Sequence, residues 1–339
     1  MRFGLIGYGL WGRHHAAAIA AAPGATLAAI ACASEATAAA ARRDFPGVPM
    51  EIGYRALLAR ADVDAVAVVV PNHLHAEVGV AALEAGKDVL LEKPMATTLE
   101  GCDRLLAAAR AGGRLLSVGH ELRLSTQYGR VKTLIDAGEI GAPTYAGLSL
   151  FRFPFRPGSG GWRYDPARVG SWILEEPVHF FDLVMWYLEG LGDPGSVQAL
   201  GGAGPHGAGL AESFTAILRF PGGAHAVITQ TLGGFEYHQL LHLVGTEGSI
   251  RSWWSGTLDR TLTPAFDLRL DRRDRGGVET VPVGPSGELV ELGEQARQVV
   301  AAFARRQALL GGEEARKRIV VCLAAEQSLR DGREIALRF

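Results

Sequence analysis

Cysteine is scarce in this chain. Its three cysteines, Cys32, Cys102 and Cys322, are widely separated and lack metal-ligand spacing. That pattern argues against a disulfide framework and against a zinc site, and it makes a reducing cytoplasm the simplest home. Surplus charge is lacking too. The formal net charge is −2, so no overall field draws the protein to nucleic acid or to an anionic membrane. The short basic run Arg272-Arg273 is bounded by aspartates. Long apolar runs are missing as well. The opening MRFGLIGYGLWG is broken by glycines and has no leader-like apolar core. The alanine-rich stretch 16–33 is interrupted by Pro23 and Gly24, which excludes it as a membrane span. Repeats and linkers are absent. The glycine-rich segments Gly201–Gly209 and Gly284–Gly287 read as turns.

What is present is a globular chain of two-domain length, with 339 residues, 48% of them hydrophobic and 21% charged. Over residues 1–120, short apolar runs alternate with helical patterns. Strands are read at 2–6, 26–32, 65–70, 88–91 and 115–118, and helices at 11–22, 35–45, 54–60, 74–85 and 99–111. This alternation predicts an α/β domain with a doubly wound parallel sheet covered on both faces. Over 121–339 the pattern changes. A helix at 127–137 and an extended run at 143–155 precede a helix that opens with ILEEPVHFFD and reaches about Leu188. Strand-like runs follow, ESFTAILRF, AHAVITQTL, QLLHLVG and GSIRSWW, and then helices at 289–309 and 314–329. These predict an antiparallel sheet with one helix-covered face. A last strand at 334–339 is a candidate to return to the first domain.

Gly7-Tyr8-Gly9-Leu10-Trp11-Gly12 is GxGxxG, placed after the first strand and at the start of a helix. In that setting Gly7 permits the tight turn, Gly9 lets backbone approach a pyrophosphate, and Gly12 lets helix and strand pack closely. Leu10 and Trp11 begin the helix whose free N–H groups would face the phosphates. The acid that ordinarily ends the second strand and binds ribose is replaced by Cys32, Ala33 and Ser34, with Glu35 next. Ser34 or Glu35 can take its part, while Arg42 and Arg43 lie further along the helix. The cofactor is therefore NAD or NADP, and the lack of arginine at the strand end favours NAD. Pro71, Asn72 and His75 follow the strand AVAVVV and would lie beside the cofactor; His73 and His75 read equally as a helix-start cap and a surface ring.

Glu92-Lys93-Pro94 follows the strand VLL directly. A lysine at a sheet's carboxyl edge can hold the charge that grows on a reacting oxygen, although a charged residue there is also commonly just solvated. Together, GxGxxG, VVVPNHLH, VLLEKPMAT and a helix carrying ExxxH resemble the Gfo/Idh/MocA oxidoreductase family. GTEGSIRSW further along is similar to one of its C-terminal sheet motifs. The resemblance implies a Rossmann domain at 1–120. It implies an α+β domain at 121–339 with a large, open, mostly antiparallel sheet, for substrate binding and oligomerisation. It also implies an NAD(P)-dependent dehydrogenase acting on a secondary alcohol of a sugar, sugar derivative or cyclitol, with Lys93 catalytic, Glu92 and Lys93 beside the cofactor, and no metal.

By the same resemblance, His179 falls on the family's histidine, and Glu175 stands where aspartate is usual. If the segment is one helix, Glu175, His179 and Asp182 share a face. A neutral imidazole suits proton exchange with an alcohol near neutrality. His179 is thus the expected general base, Lys93 the group that polarises the oxygen, and Glu175 a substrate ligand or a brace for His179, with Asp182 on the ring's far side. Pro177 is expected in the first helical turn. Without the resemblance, the same residues read as dipole-favouring acids, Glu175 and Glu176, around a core histidine. Further substrate candidates are His120, Arg123, Trp162 and Arg163, with His238 and Tyr237 less favoured. Two other functions share the fold. One is a non-catalytic dinucleotide sensor, which Lys93 and His179 oppose. The other is a reductase of a C=N or amino-acid-type substrate, which would need an arginine cluster for a carboxylate. An open sheet needs its outer face covered, so a homodimer or homotetramer through that sheet is expected.

Overall fold

The computed structural model describes residues 1–205, 209–273 and 276–339. The chain divides into two compact units. The first is Met1–Glu121 with Ala167–Gly170 and Leu292–Ile319; the second is Leu122–Pro166 with Ser171–Glu291 and Val320–Phe339.

In the first unit, β1 (Arg2–Ile6), β2 (Thr26–Cys32), β3 (Met50–Ile52), β4 (Ala65–Val68), β5 (Asp88–Glu92) and β6 (Leu116–Gly119) form a parallel sheet in the order β3-β2-β1-β4-β5-β6. The helices between them are α1 (Leu10–Ala21), α2 (Glu35–Asp44), α3 (Tyr54–Leu58), α4 (His75–Glu84) and α5 (Leu99–Gly112). β4 is buried on both sides, as a continuous apolar run requires in a sheet covered on both faces. The core includes Phe3, Leu5, Ile30 and Ala67, and Phe3 stacks on Phe303 at 6.2 Å. The strand order reverses between β1 and β4, and the carboxyl edge at such a reversal is where open α/β sheets take ligands.

The second unit carries a nine-stranded sheet. Its strands are β7 (Pro143–Phe151), β8 (Ser196–Ala203), β9 (Ala211–Arg219), β10 (His225–Thr231), β11 (Tyr237–Gly245), β12 (Gly248–Gly256), β13 (Ala265–Arg272), β14 (Val278–Thr280) and β15 (Ile335–Ala336), in the order β14-β13-β12-β11-β7-β10-β9-β8-β15. Among the described residues of this sheet, β7 and β10 are the one parallel pair. The remaining helices are α6 (Tyr128–Asp136), α7 (Pro166–Val169), α8 (Trp172–Glu175), α9 (Val178–Tyr187), α10 (Glu288–Ala304) and α11 (Gly312–Asp331). Ala146, Leu148 and Leu150 of β7 are buried beneath α9, while Tyr145, Ser149 and Phe151 on the other face are half-buried.

Three expectations need correction. The helix drawn from Ile173 to Leu188 is two helices. Glu176 leaves the helical region at φ −124, ψ −51, and Pro177 opens α9 at φ −59. The residue before a proline is disfavoured in the helical region, and proline has no N–H to continue a helix. Next, the last strand pairs with β8, Ile335 opposite Val197, and does not return to the first sheet; Leu292–Ile319 is the segment that rejoins the first unit. Finally, the turn read at Gly201–Gly209 begins late, because β8 runs to Ala203. Residues 206–208 of that segment lie outside the described residues. Among the described residues, no helix is long and apolar enough to cross a membrane.

Candidate active site

The glycine turn is built as its spacing predicts. Gly7 has φ +101, and a Cβ there would stand 2.1 Å from the Val69 carbonyl oxygen, so only glycine fits. A Cβ on Gly12 would stand 2.0 Å from the Gly7 oxygen, which is the close helix–strand contact that a third glycine permits. Gly9 differs from both, with nothing within 4 Å of its absent Cβ. It is also the N-cap of the twelve-residue α1 and offers that helix no side-chain cap. Uncapped N–H groups, a positive dipole end and open space above Gly9 together fit a pyrophosphate. Leu10 is 61% exposed beside them.

At the end of β2, the Ser34 hydroxyl is engaged by its own helix. It accepts from the Thr37 N–H at 3.3 Å and bonds the Thr37 hydroxyl at 2.6 Å. Its role is that of an N-cap. Beyond β4, Pro71 precedes a short 3₁₀ turn, and the buried Asn72 amide donates to the Val169 carbonyl at 3.1 Å. His75 is 1% exposed, with ring nitrogens 2.6 Å from the Pro94 oxygen and 2.8 Å from the Val70 oxygen. It braces the end of β4 to the segment holding Lys93. His73 lies in the 3₁₀ turn, and the Lys93–Pro94 bond is cis.

Glu92 is buried, and its carboxylate is 2.7 Å from His15 Nε2 and 3.2 Å from the Lys93 N–H. Trp11, from the glycine turn, also bonds it. Burial works to raise the Glu92 carboxyl, but the His15 bond and the nearby Lys93 charge outweigh it and hold it below the usual range. Glu92 is therefore an internal brace. Through Trp11 and His15 it ties α1 to the backbone of Lys93. His15 was not legible from spacing alone, since the pair lies 77 residues apart in sequence. His120, at the end of β6, is 4% exposed and belongs to this unit.

In the second unit, Ser171 caps α8 by accepting from the Leu174 N–H at 3.2 Å. The break at Glu176 separates Glu175 and His179 into different helices, so they are not i and i+4 on one face. Each carboxylate of the segment has an arginine. Glu175 pairs with Arg163, whose guanidinium lies over the Trp162 ring at 4.4 Å. Glu176 accepts from Arg152 at 3.1 Å and from the Tyr237 hydroxyl. Asp182, 1% exposed, is held by both Nε and Nη2 of Arg123, at 2.7 and 2.6 Å. A fork of this kind is strong and directional. Asp182 and Arg123, expected on the imidazole and in the substrate pocket, are thus each other's partners. His179 is buried, and its backbone N–H donates to the Glu176 backbone carbonyl at 3.0 Å. Trp162 is 7% exposed, leaving little surface to stack on a sugar.

Arg152 and Tyr237 belong to this arrangement, although sequence reasoning passed over the first and ranked the second low. The available signal was an arginine inside the apolar run FRFPF, where an unpaired charge would be untenable. His238 points to the other face of the sheet, between Phe151 and Trp253.

Comparison with known proteins bears on the family and the two domains. Residues 1–120 match the family model described as an oxidoreductase family with NAD-binding Rossmann fold, and residues 128–251 match the GFO/IDH/MocA C-terminal domain. The class is therefore an oxidoreductase with a nicotinamide-dinucleotide fold. Over 295 residues the chain is 34% identical to the 1,5-anhydro-D-fructose reductase of Ensifer adhaerens, covering 84% of each. Over 191 residues it is 36% identical to inositol 2-dehydrogenase 2 of Saccharopolyspora erythraea, covering 56% of this chain and 54% of the other. The structure of levoglucosan dehydrogenase in complex with NADH and levoglucosan superimposes on all of both chains with a TM-score of 0.86 at 22% identity, a shared fold. The chain belongs to the Gfo/Idh/MocA oxidoreductase family.

Proposed function

We propose that this enzyme interconverts a secondary alcohol and a ketone on a sugar, sugar derivative or cyclitol. The relatives' named activities, on 1,5-anhydro-D-fructose and inositol, support that class. The bound nicotinamide dinucleotide would accept or donate the hydride. Gly7, Gly9 and Gly12, with the α1 N–H groups of Leu10 and Trp11, would hold its phosphates, and Pro71 and Lys93 would flank it. Asn72 and His75 support that edge from within.

The observation that carries the catalytic assignment is the matching of charges in 175–182. Glu175, Glu176 and Asp182 are each neutralised by an arginine. Their carboxylates are thereby tied down as acceptors of guanidinium protons. The imidazole of His179 is the group in this segment whose ordinary pKa, about 6.5, suits proton exchange near neutrality. His179 takes the hydroxyl proton in oxidation and returns it in reduction. Lys93, set after the Glu92 brace, supplies positive charge to the oxygen as its proton leaves. Glu175 with Arg163 in the second unit, and His120 in the first, are the further side chains to which substrate hydroxyls are assigned in this reading.

The test is turnover across a panel of cyclitols, sugars and anhydrosugars with NAD and NADP, followed by absorbance of the reduced nicotinamide. Lys93→Ala and His179→Ala should each lower kcat by at least ~100-fold while cofactor affinity holds. Turnover near wild type in either variant removes that residue from the mechanism.

The same reading includes a homodimer or homotetramer through the outer face of the nine-stranded sheet. Leu240 is 41% and Leu200 67% exposed on that sheet, and a native mass above one chain by light scattering is the expected result. A cytoplasmic setting accords with three buried cysteines, none of them joined in a disulfide.

A further inference from the structure

The residue at the break between α8 and α9 is tied to the sheet beneath it. The backbone carbonyl of Glu176 accepts the His179 N–H, so Glu176 opens the turn that carries His179. Each oxygen of its side chain has a partner of its own. Oε1 accepts from the Tyr237 hydroxyl, and Oε2 accepts from Nη1 of Arg152 at 3.1 Å. Arg152 follows the last residue of β7, and Tyr237 is the first of β11. Behind Tyr237 the bonding continues. Gln239 lies two residues along β11 and hence on the same face. Its Nε2 donates to Tyr237 Oη at 3.1 Å, and its Oε1 accepts from the Tyr128 hydroxyl. All three side chains are buried. The direction of this chain is fixed from its end. An ionised carboxylate only accepts, so Tyr237 must give its proton to Glu176 and receive one from the Gln239 amide, which leaves the amide oxygen for Tyr128. Burial pushes both tyrosine hydroxyls well above their ordinary value and keeps them donors. Tyr128 also holds the far end of α9, because its backbone carbonyl accepts the Tyr187 hydroxyl at 3.0 Å. The helix that presents His179 is therefore referenced at both ends to one residue of α6.

From this geometry we infer that Tyr237, backed by Gln239 and Tyr128, is a positioning residue for the proton transfer: it holds Glu176, and Glu176 sets where α9 presents His179. The inference rests on the assignment of the proton to His179 above. Tyr237 acts here through Glu176 and not by contact with substrate. The hydroxyl can be separated from the ring. The ring has contacts of its own, edge-on to Trp254 at 5.6 Å and beneath the Arg152 guanidinium at 5.3 Å, and a phenylalanine would keep both. Loss of the hydroxyl alone then loosens Glu176 and the turn it opens. Misplacing a reacting group by about 1 Å can cost about 10²-fold in rate, so the loosening is read in kcat.

The experiment is steady-state kinetics of the full chain on a substrate found in the panel above, with the histidine imidazole resonances recorded by NMR on the same variants. Tyr237→Phe should lower kcat about tenfold or more while KM and the dinucleotide Kd stay within about twofold. Tyr128→Phe, two links back, should lower kcat in the same direction by less. In the background Arg152→Met/Glu176→Leu, which removes both members of the buried pair and leaves neither charge unmatched, Tyr237→Phe should lower kcat no further. The His179 resonance, identified by its absence from His179→Ala, should move in Tyr237→Phe. It should stay in place in Tyr145→Phe, a tyrosine on the sheet's opposite face. A Tyr237→Phe kcat within about twofold of wild type overturns the inference, as does an equal loss in the background without Glu176. So does a His179 resonance that Tyr237→Phe leaves unmoved, a result that needs neither a substrate nor that background. Turnover near wild type in His179→Ala overturns the underlying assignment instead.

Discussion

Gly9 and Gly12 sit three residues apart in one turn, yet the structure gives alanine opposite consequences at the two positions. At Gly9 a Cβ meets nothing within 4 Å, and the backbone, φ −84 and ψ −166, is open to any residue. The folding penalty of Gly9→Ala is then only the poorer N-cap, below about 1 kcal/mol. At Gly12 the added Cβ would lie 2.0 Å from the Gly7 oxygen, against an ordinary contact of about 3.5 Å. Helix α1 must move outward by more than 1 Å or strain the turn, an overpacking cost of about 1–3 kcal/mol. For domains of this size that corresponds to a midpoint several degrees lower, at about 2–4 °C per kcal/mol. Binding should separate the two in the other direction. If the space above Gly9 is where the pyrophosphate lies, its Cβ occupies the closest approach, and Kd should rise about tenfold or more, equivalent to ~1.4 kcal/mol. The assay is a thermal melt and a dinucleotide titration on each variant. Gly9→Ala with an unchanged Kd would falsify the placement of the phosphates, and Gly12→Ala with an unchanged melt would refute the packing argument.

Two further outcomes follow from buried carboxyls. Glu92 is held below the usual range, so its contribution to stability is present above the ordinary glutamate value of about 4.3 and is lost as pH falls through its folded value. His15→Leu removes its main partner; it should destabilise the first unit by about 3 kcal/mol at neutral pH and flatten the acid limb of the stability–pH curve. A variant with wild-type acid sensitivity would show the pair to be idle. Glu291 is the reverse case. Burial raises its carboxyl despite bonds from the Ser286 hydroxyl and the Gly287 N–H, both at 3.0 Å. Its folded form holds a proton more tightly than the unfolded chain does, so stability falls as pH rises past about 4.3. Glu291→Gln keeps both acceptor bonds, and it should raise the melting midpoint at pH 7.5 and lose that advantage near pH 4. An equal shift at both values would show that charge is not the cause.

Most of the first unit was legible because its signals are local; the edge strand β3, three residues long and not buried, was missed for want of such a signal. Val66–Val68 can only be a strand buried on two faces, and Gly7 and Gly12 are demanded by a turn whose backbone excludes a Cβ whatever surrounds it. In the second unit, β13 and β14 were not legible. Arg269, Asp271 and Arg272 make β13 look like a solvated loop, and its pairing with β12, Ile250 opposite Leu270, is set by sheet register that no local window contains. The strand β15, a candidate for the first domain, pairs with β8 instead, and its place was hidden for the same reason. Two residues of pairing, Ile335 and Ala336, carry no pattern that distinguishes one sheet edge from another.

The helix break is different, because its signal is local. Pro177 disfavours helical dihedrals at Glu176, yet an i, i+4 relation was carried through it from Glu175 to His179. Once the helix is broken there, shared-face reasoning no longer accounts for three carboxylates in so apolar a run. The partners do account for them. Arg163 lies 12 residues from Glu175, Arg152 24 residues from Glu176, and Arg123 59 residues from Asp182. Ion pairs across such separations have no periodicity, so composition and spacing are blind to them. Three acids matched by three arginines make burial tolerable, since an unpaired charge there would cost several kcal/mol. The same matching draws the proton chemistry away from the acids. A carboxylate locked to a guanidinium is a poor acceptor for a substrate proton. The arginine pairing of the segment's acids is therefore the physical argument behind proposing His179 as the proton acceptor.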